Sequence, residues 1–442
     1  MTDHRFVQTI RSADLVAKRG QVTRISRTYL EADGPAVSLG ALCEVECEPA
    51  SRALPKTSVA EVVAIDQARI VLAPLEDVSS VRLGARVTAR TGADRAPVGD
   101  ALLGRAVDAM ARPIDGGPPI RAERFAPLTC PRLAPLSRET PRRVVETGIR
   151  AIDGLLTLGQ GQRVGVFAAS GVGKTSLMAQ LSRQVDADCC VACLIGERGR
   201  EVEAFWSNNL PDEVKAKTTL VAATSDENAG VRVRAAEYAL SLAEDFRDQG
   251  RHVLLLMDSI TRLAMALREI GLAAGEPPTV RAYTPSVFAA LPRLVERCGA
   301  LKGGGAITAV MTILAETDDV DDPISELLKS LLDGHIVLSR TLAEQDHYPA
   351  IDVSRSISRL ATTLRHDQHE NNARTAIGML GVYEGARTLI EAGVYARGAD
   401  QAIDRALDHR PELLRFLQQG EDERTPFVAS RHALARAVGA QS

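Results

Sequence analysis

The sequence predicts a three-part chain: a central α/β domain with a small β-rich domain before it and an α-helical domain after it. Three observations carry this reading. In the middle of the chain, apolar and largely β-branched runs alternate with helical patterns, as buried parallel strands and their crossover helices do. Before about residue 92, short strand-like runs follow one another closely between Gly, Pro and acidic turns, the pattern of a small barrel or sandwich. After Arg359 the strand patterns stop and helical spacing takes over. The expected divisions are 1–19 as an N-terminal arm, 20–92 as the β-domain, 93–363 as the α/β domain and 364–442 as the helical domain.

Taken in order, residues 1–20 read either as one amphipathic helix, with Phe6, Ile10 and Val16 loosely on one side, or as a frayed terminus. QVTRI, ALCEVEC, SVAEVVAI, ARIVLAPL and ARVTAR are the strands expected of the β-domain, and the polar stretch TGADRAPVGD marks its boundary. VGVFA, CCVACLI, TTLVAA, HVLLLM, AITAVMTIL and HIVLS are the central strands, with KTSLMAQLSRQV and NAGVRVRAAEYALSLAEDFRD as helices between them. ARTAIGMLGVYEGARTLIEAG and AIDRALDHRPELLRFLQQG supply the helical domain.

Composition excludes more than it identifies. Lys+Arg total 53 against Asp+Glu 57, a net charge of −4, which argues against a general nucleic-acid binder. No apolar run approaches the roughly 18 residues of a membrane-spanning helix, and the N-terminal segment does not read as a secretory signal, so a soluble cytoplasmic protein is expected. Seven cysteines do not suggest a disulfide framework. Cys190 and Cys193 form a CxxC, which elsewhere marks redox or metal sites. Here it lies in an apolar run of strand length, where a small buried thiol is the plainer reading.

The strongest chemical signal is Ala168-Ala169-Ser170-Gly171-Val172-Gly173-Lys174-Thr175, which follows a strand and opens a helix. Small residues there let backbone N–H groups converge on phosphate oxygens at a helix N-terminus. Lys174 would reach the β- and γ-phosphates and the Thr175 hydroxyl would bind Mg²⁺. The strict pattern has Gly where this chain has Ala168, but a lysine inside GVGKT stands out in a chain with seven lysines against 46 arginines. Glu197, in LIGERGRE, ends the next strand, where a carboxylate can orient and polarise the attacking water; Arg198 would steady the same phosphate. Asp258 ends HVLLLMD as the carboxylate expected to hold Mg²⁺, although Asp258-Ser259 could equally cap the following helix. The order phosphate loop, Glu, Asp points to a nucleoside triphosphatase.

Beyond these residues the chain resembles a family. GVFAASGVGKTSLM, LIGERGREVEAF, LLLMDSITRLAMALREI, GEPPTVRAYTPSVFAALPRLVER and LLDGHIVLSRTLAEQDHYPAIDVSRSISRL are similar to the type III protein-export ATPases of flagella and injectisomes, themselves similar to the catalytic subunit of rotary ATP synthases. The resemblance implies a central RecA-like P-loop domain, an N-terminal β-barrel and a helical C-terminal domain. It also implies Tyr348, in HYPAID, stacked on adenine and Arg359, in SISRL, as an arginine finger inserted into a neighbouring subunit's site. ATP and Mg²⁺ are the implied cofactors. The implied partners are identical copies in a homohexamer, a stator-like negative regulator at the N-terminal arm, a stalk protein in the ring pore, export-gate membrane proteins and chaperone–substrate complexes. The implied location is the cytoplasm, peripherally on the inner membrane. AITAVMTILAET is less aromatic than the family's strand and RHDQHENNARTA is unusual at the start of the tail.

The expected function is therefore ATP hydrolysis driving type III export, with VYARGADQAIDRA and FLQQG leaning towards the flagellar branch over the injectisome. An RNA translocase of the Rho type would need a basic, aromatic single-strand face, and aromatics are 3% of this chain. A non-catalytic nucleotide-binding subunit need not keep Glu197.

Overall fold

A computed structural model of the chain describes residues 18–48, 56–66, 69–90, 95–129, 132–314 and 322–440. The expectation of an N-terminal arm falls almost wholly on residues outside this set.

Six short strands close into an antiparallel barrel: β1 (Arg19–Ile25), β2 (Leu30–Ala32), β3 (Leu42–Cys47), β4 (Lys56–Asp66), β5 (Arg69–Pro74) and β6 (Arg86–Ala89), in the order β1-β2-β5-β4-β3-β6. Their period-2 pattern decides which way each strand faces. In β3, Cys43, Val45 and Cys47 turn into the barrel core while Glu44 and Glu46 do not. Closure leaves no unpaired edge. β2 is the one barrel strand the sequence does not announce. The stretch TGADRAPVGD, expected as a boundary, is partly structured: Arg95–Val98 pairs antiparallel with Arg124–Pro127, because Ala96 and Val98 are buried.

The centre is a ten-stranded sheet whose main path runs Ile351–Ser358, Gly334–Leu338, Arg163–Ala168, Ala306–Leu314, His252–Asp258, Cys189–Glu197, Thr218–Thr224 and Ala106–Asp108. All neighbours on this path are parallel except Ile351–Ser358, which pairs antiparallel with Gly334–Leu338 at the edge. Helices cover both faces and divide the core in two. Cys189, Val191, Cys193 and Ile195 pack into one cluster and Cys190, Ala192 and Leu194 into the other.

That division decides the CxxC. An offset of three residues on a strand puts the Cys190 and Cys193 thiols on opposite faces of the sheet. Both are free and buried, and burial pushes the Cys190 thiol up to about 12. They are core residues, inert as ligands or nucleophiles.

The tail is three helices, Asp367–Glu391, Gln401–Leu417 and Phe427–Ala437. Asp400 caps the second, accepting from the Ala402 and Ile403 amides. Ala373, Ala376, Leu413, Phe416 and Leu434 join the same apolar cluster as the phosphate-loop helix. The polar run RHDQHENNARTA is the seam of this docking. His369 is buried with Nε2 2.8 Å from the Gly154 carbonyl, and Arg365 pairs with Glu370 at 3.0 Å.

Candidate functional site

Parallel strands deliver their C-terminal ends to one side of the sheet, where ligands of open α/β folds bind. Here that side holds a cavity of about 940 Å³ lined by the loop after Arg163–Ala168, the end of Cys189–Glu197 and the segment Tyr348–Ala350.

The loop has its shape because Gly171 and Gly173 sit at φ 81° and 91°, a region costly for a residue with a side chain. Gly171 has open space around it, so its backbone conformation alone demands glycine. Gly173 precedes the helix Lys174–Gln184 and lies beneath the Tyr348 ring, 3.5 Å from where a Cβ would stand. Ser170, Lys174 and Thr175 also line the cavity, whereas Val172 turns away and is buried in the core, pinning the loop to the sheet.

Lys174 reaches across the intervening strand Ala306–Leu314. Its Nζ lies 2.5 Å from Asp258 Oδ1 and 3.4 Å from Glu197 Oε1. Glu197 enters the cavity by way of a bulge: the pairing with Thr218–Thr224 slips between Ile195 and Glu197, at Gly196 with φ 68°. A bulge re-aims the side chain that follows it. Burial, and then the hydrogen bond that protonated Glu197 donates to the neighbouring Glu201 carboxylate, raise the Glu197 carboxyl above the usual range, with Lys174 opposing them. Asp258 is nearly inaccessible and its Oδ1 accepts a 2.7 Å hydrogen bond from the Thr312 hydroxyl. The helix that follows is capped by Ser259, which accepts from the Arg262 amide, so the Asp258 carboxylate is free of capping.

The oxygen donors present fit Mg²⁺. Thr175 and Asp258 supply hard oxygens of the kind that bind it together with substrate phosphates and water. No cluster of three His, Cys, Asp or Glu side chains suited to a metal occurs among the described residues.

Two sequence-derived candidates stand apart. Arg198 is 68% exposed and pairs with Glu201 at 3.8 Å, at the cavity rim. Arg359 does not line the cavity. Its N–H donates to the Asp333 carbonyl and its guanidinium to the Lys329 carbonyl, each at 2.9 Å. Asp333 in turn holds Arg163 through two hydrogen bonds of 3.0 Å, at the start of the strand whose other end carries the phosphate loop. Six residues of strand separate those ends by roughly 17 Å, beyond the reach of one arginine side chain.

Two further side chains were not foreseen. Arg262 lines the cavity with its stem packed on Gly196; its signal is its place in DSITR, one helical turn after Asp258. Thr312 lies inside the apolar run AITAVMTIL and offers no signal at all.

Residues 148–358 match the nucleotide-binding domain of the ATP synthase alpha/beta family, and residues 366–436 match the T3SS EscN ATPase C-terminal domain. The chain is 46% identical over 427 residues to the flagellum-specific ATP synthase of Salmonella typhimurium, covering 95% of this chain and 93% of that one. It is 43% identical over 406 residues to the SPI-2 type 3 secretion system ATPase of the same organism, covering 91% of each. Among solved structures it is similar to the assembled ATPase EscN of the enteropathogenic E. coli type III secretion system, with TM-score 0.89 and 40% identity over 95% of this chain and 100% of that one. EscN in complex with its central stalk EscO gives TM-score 0.85 and 39% identity with the same coverage.

Proposed function

Because the chain belongs to the family of flagellum-specific ATP synthases and type 3 secretion system ATPases, we propose that it hydrolyses ATP as the motor of a type III protein export apparatus, completing each site between two copies of itself. One observation carries the second half of this reading: Lys174 lines the cavity with Glu197 and reaches Asp258 behind it, while Arg359 stands at the far end of the strand that leads there.

The loop amides and Lys174 take the phosphates, Lys174 exchanging its two carboxylate partners for the β- and γ-oxygens. Thr175 and Asp258 would hold Mg²⁺, which supplies charge neutralisation on those oxygens. Glu197 orients a water and accepts its proton as the oxygen attacks the γ-phosphorus; ADP leaves and inorganic phosphate forms. A carboxyl held above its usual range is the stronger base for that step. Arg262 from the same chain and Arg359 from the neighbouring one offset charge developing on the γ-phosphoryl oxygens, and Arg198 steadies the product at the rim. Tyr348 stacks on the base.

The same reading extends to assembly. Identical copies form a hexameric ring in the cytoplasm at the inner membrane. A stalk protein occupies the pore, as EscO accompanies EscN. The N-terminal arm meets a negative regulator, and the tail domain meets export-gate proteins and chaperone–substrate complexes. Identity of 46% to the flagellar relative against 43% to the secretion-system relative of the same organism favours flagellar membership.

Phosphate release from Mg²⁺ATP, measured across a wide range of protein concentration, tests this. Specific activity that rises steeply with concentration supports sites completed between copies. Activity from a chain held monomeric, undiminished by Arg359→Ala, would overturn it.

A further inference from the structure

The helix Lys174–Gln184 follows the cavity beyond the phosphate loop. Ser176 lines the phosphate end, and Gln180 lines the wall four residues later, on the same helical face and one turn along. Gln180 is 3% exposed, and its Nε2 has no hydrogen-bond partner. A buried amide without an acceptor is costly and calls for an explanation in the ligand it serves.

The cavity's other glutamine makes the contrast. Gln419 is fully engaged: its Oε1 accepts from the Arg150 amide at 2.8 Å, and its Nε2 donates to the Gly148 and Glu423 carbonyls, each at 2.7 Å. Among the described residues lining this wall, Gln180 carries a side-chain amide donor with no partner, and a turn of that amide about its last torsion, which is broad and two-fold, brings the donor to the cavity. Tyr348, above Gly173, offers the face of a ring. A purine stacked there spends its own face on the tyrosine and turns its rim to the wall.

We propose that Gln180 reads the nucleobase, donating from Nε2 to N7 of adenine and accepting at Oε1 from the 6-amino group. A primary amide presents a donor and an acceptor side by side, the complement of the acceptor–donor pair on adenine's edge. Hypoxanthine carries an oxo group in place of the amine, so it meets Oε1 with a second acceptor. This inference rests on the cavity being the ATP site.

The test uses the full-length chain with Mg²⁺ and measures binding of ATP, inosine triphosphate and 2′-deoxy-ATP by calorimetry. Gln180→Met keeps length and neutrality, and its unchanged thermal midpoint without nucleotide checks the fold. The wild type should prefer ATP to inosine triphosphate by roughly tenfold or more. In Gln180→Met, ATP should bind about tenfold more weakly and inosine triphosphate within about twofold of wild type, so that the preference collapses. An unchanged ATP-to-inosine-triphosphate ratio overturns the proposal, whether both affinities hold or fall together. So does a loss confined to the discrimination between ATP and 2′-deoxy-ATP, which would place the amide on the ribose. Lys174→Ala forms the separate arm. It should lose both nucleotides alike; if it binds ATP as the wild type does, the reading of the cavity fails, independently of Gln180.

Discussion

Without nucleotide, Lys174 is the counter-ion of two carboxylates, and replacing it by Met should destabilise the chain as well as abolish binding. Its Nζ is 2.5 Å from Asp258 and 3.4 Å from Glu197, with side-chain exposures of 11%, 4% and 11% for Lys174, Asp258 and Glu197. At an effective dielectric of about 20, these pairs are worth about 7 and about 5 kcal/mol before desolvation, and desolvation of three charges offsets most of that. What decides the variant is the charge left behind. Removing one partner of a buried pair costs about 3–5 kcal/mol, and water in the cavity keeps the figure near the lower end, about 3 kcal/mol. The effect depends on pH with a definite sign. Burial and Glu201 already hold Glu197 above its ordinary range while Lys174 opposes them, so losing Lys174 moves it further up. A carboxyl raised in the folded state keeps a proton that the unfolded chain has released, so stability falls as pH rises from the unfolded value to the folded one. The deficit of Lys174→Met should therefore be full at pH 8 and should shrink at pH 5. Calorimetric midpoints without nucleotide should differ by roughly 5 °C or more at pH 8 and by clearly less at pH 5. A variant as stable as the wild type at pH 8, or equally impaired at both values, would refute the counter-ion argument.

The remaining expectations concern turnover, metal and thiols. Arg359→Ala should bind ATP normally and lose on the order of 10³-fold in kcat. Mixed with inactive Lys174→Ala, it should regain activity, because some interfaces then pair an intact loop with an intact arginine; no recovery on mixing would argue for a site within one chain. Glu197→Gln should retain ATP and lose about 10²–10⁴ in kcat. In the wild type, kcat/KM should fall on the acid side as Glu197 takes up a proton, and Glu201→Gln should move that limb to lower pH by replacing a charged acceptor that favours the protonated form with a neutral amide that can donate to the carboxylate. Thr312→Val removes the hydroxyl that orients Asp258, so the Mg²⁺ concentration for half-maximal activity should rise about tenfold. Cys190 and Cys193, buried on opposite sides of the sheet, should resist alkylation at pH 8 until the chain unfolds.

What the sequence could reveal depended on how local the signal was. β3 and the central apolar strands are legible because burial on one or two faces writes a pattern into consecutive residues. β2 is too short to carry a pattern. Ile351–Ser358 is an edge strand whose Asp, Arg and Ser residues hide its inward Ile351, Val353 and Ser356. The phosphate loop, Glu197 and Asp258 are legible because strand–loop geometry fixes their order in the chain. Arg262 and Gln180 look like the polar faces of amphipathic helices until the fold turns those faces into the cavity. The bulge at Gly196 is likewise a property of strand pairing, which no single segment contains.

The two ends of the phosphate-loop strand are tied to different parts of the molecule, and this bears on how turnover could be communicated. At the cavity end, the Tyr348 carbonyl accepts from the Gln419 amide at 2.8 Å, and Gln419 is bound to Gly148 and Arg150. Arg150 donates to the Phe416 carbonyl and to the Thr425 hydroxyl of the tail at 2.9 and 3.1 Å. The proposed platform for the base and the tail helices are thus one hydrogen-bonded unit, and a shift of one must break or carry the other. At the opposite end, Asp333 joins Arg163 to the backbone of Arg359. One strand therefore lies between the residues proposed to receive a nucleotide in their own chain and the arginine proposed to serve the next. A change of nucleotide at the loop has a short route to the tail, and a change at the neighbouring interface has a short route back to the loop. Sequential firing around a ring needs both connections, and a chain that completed its own site would need neither.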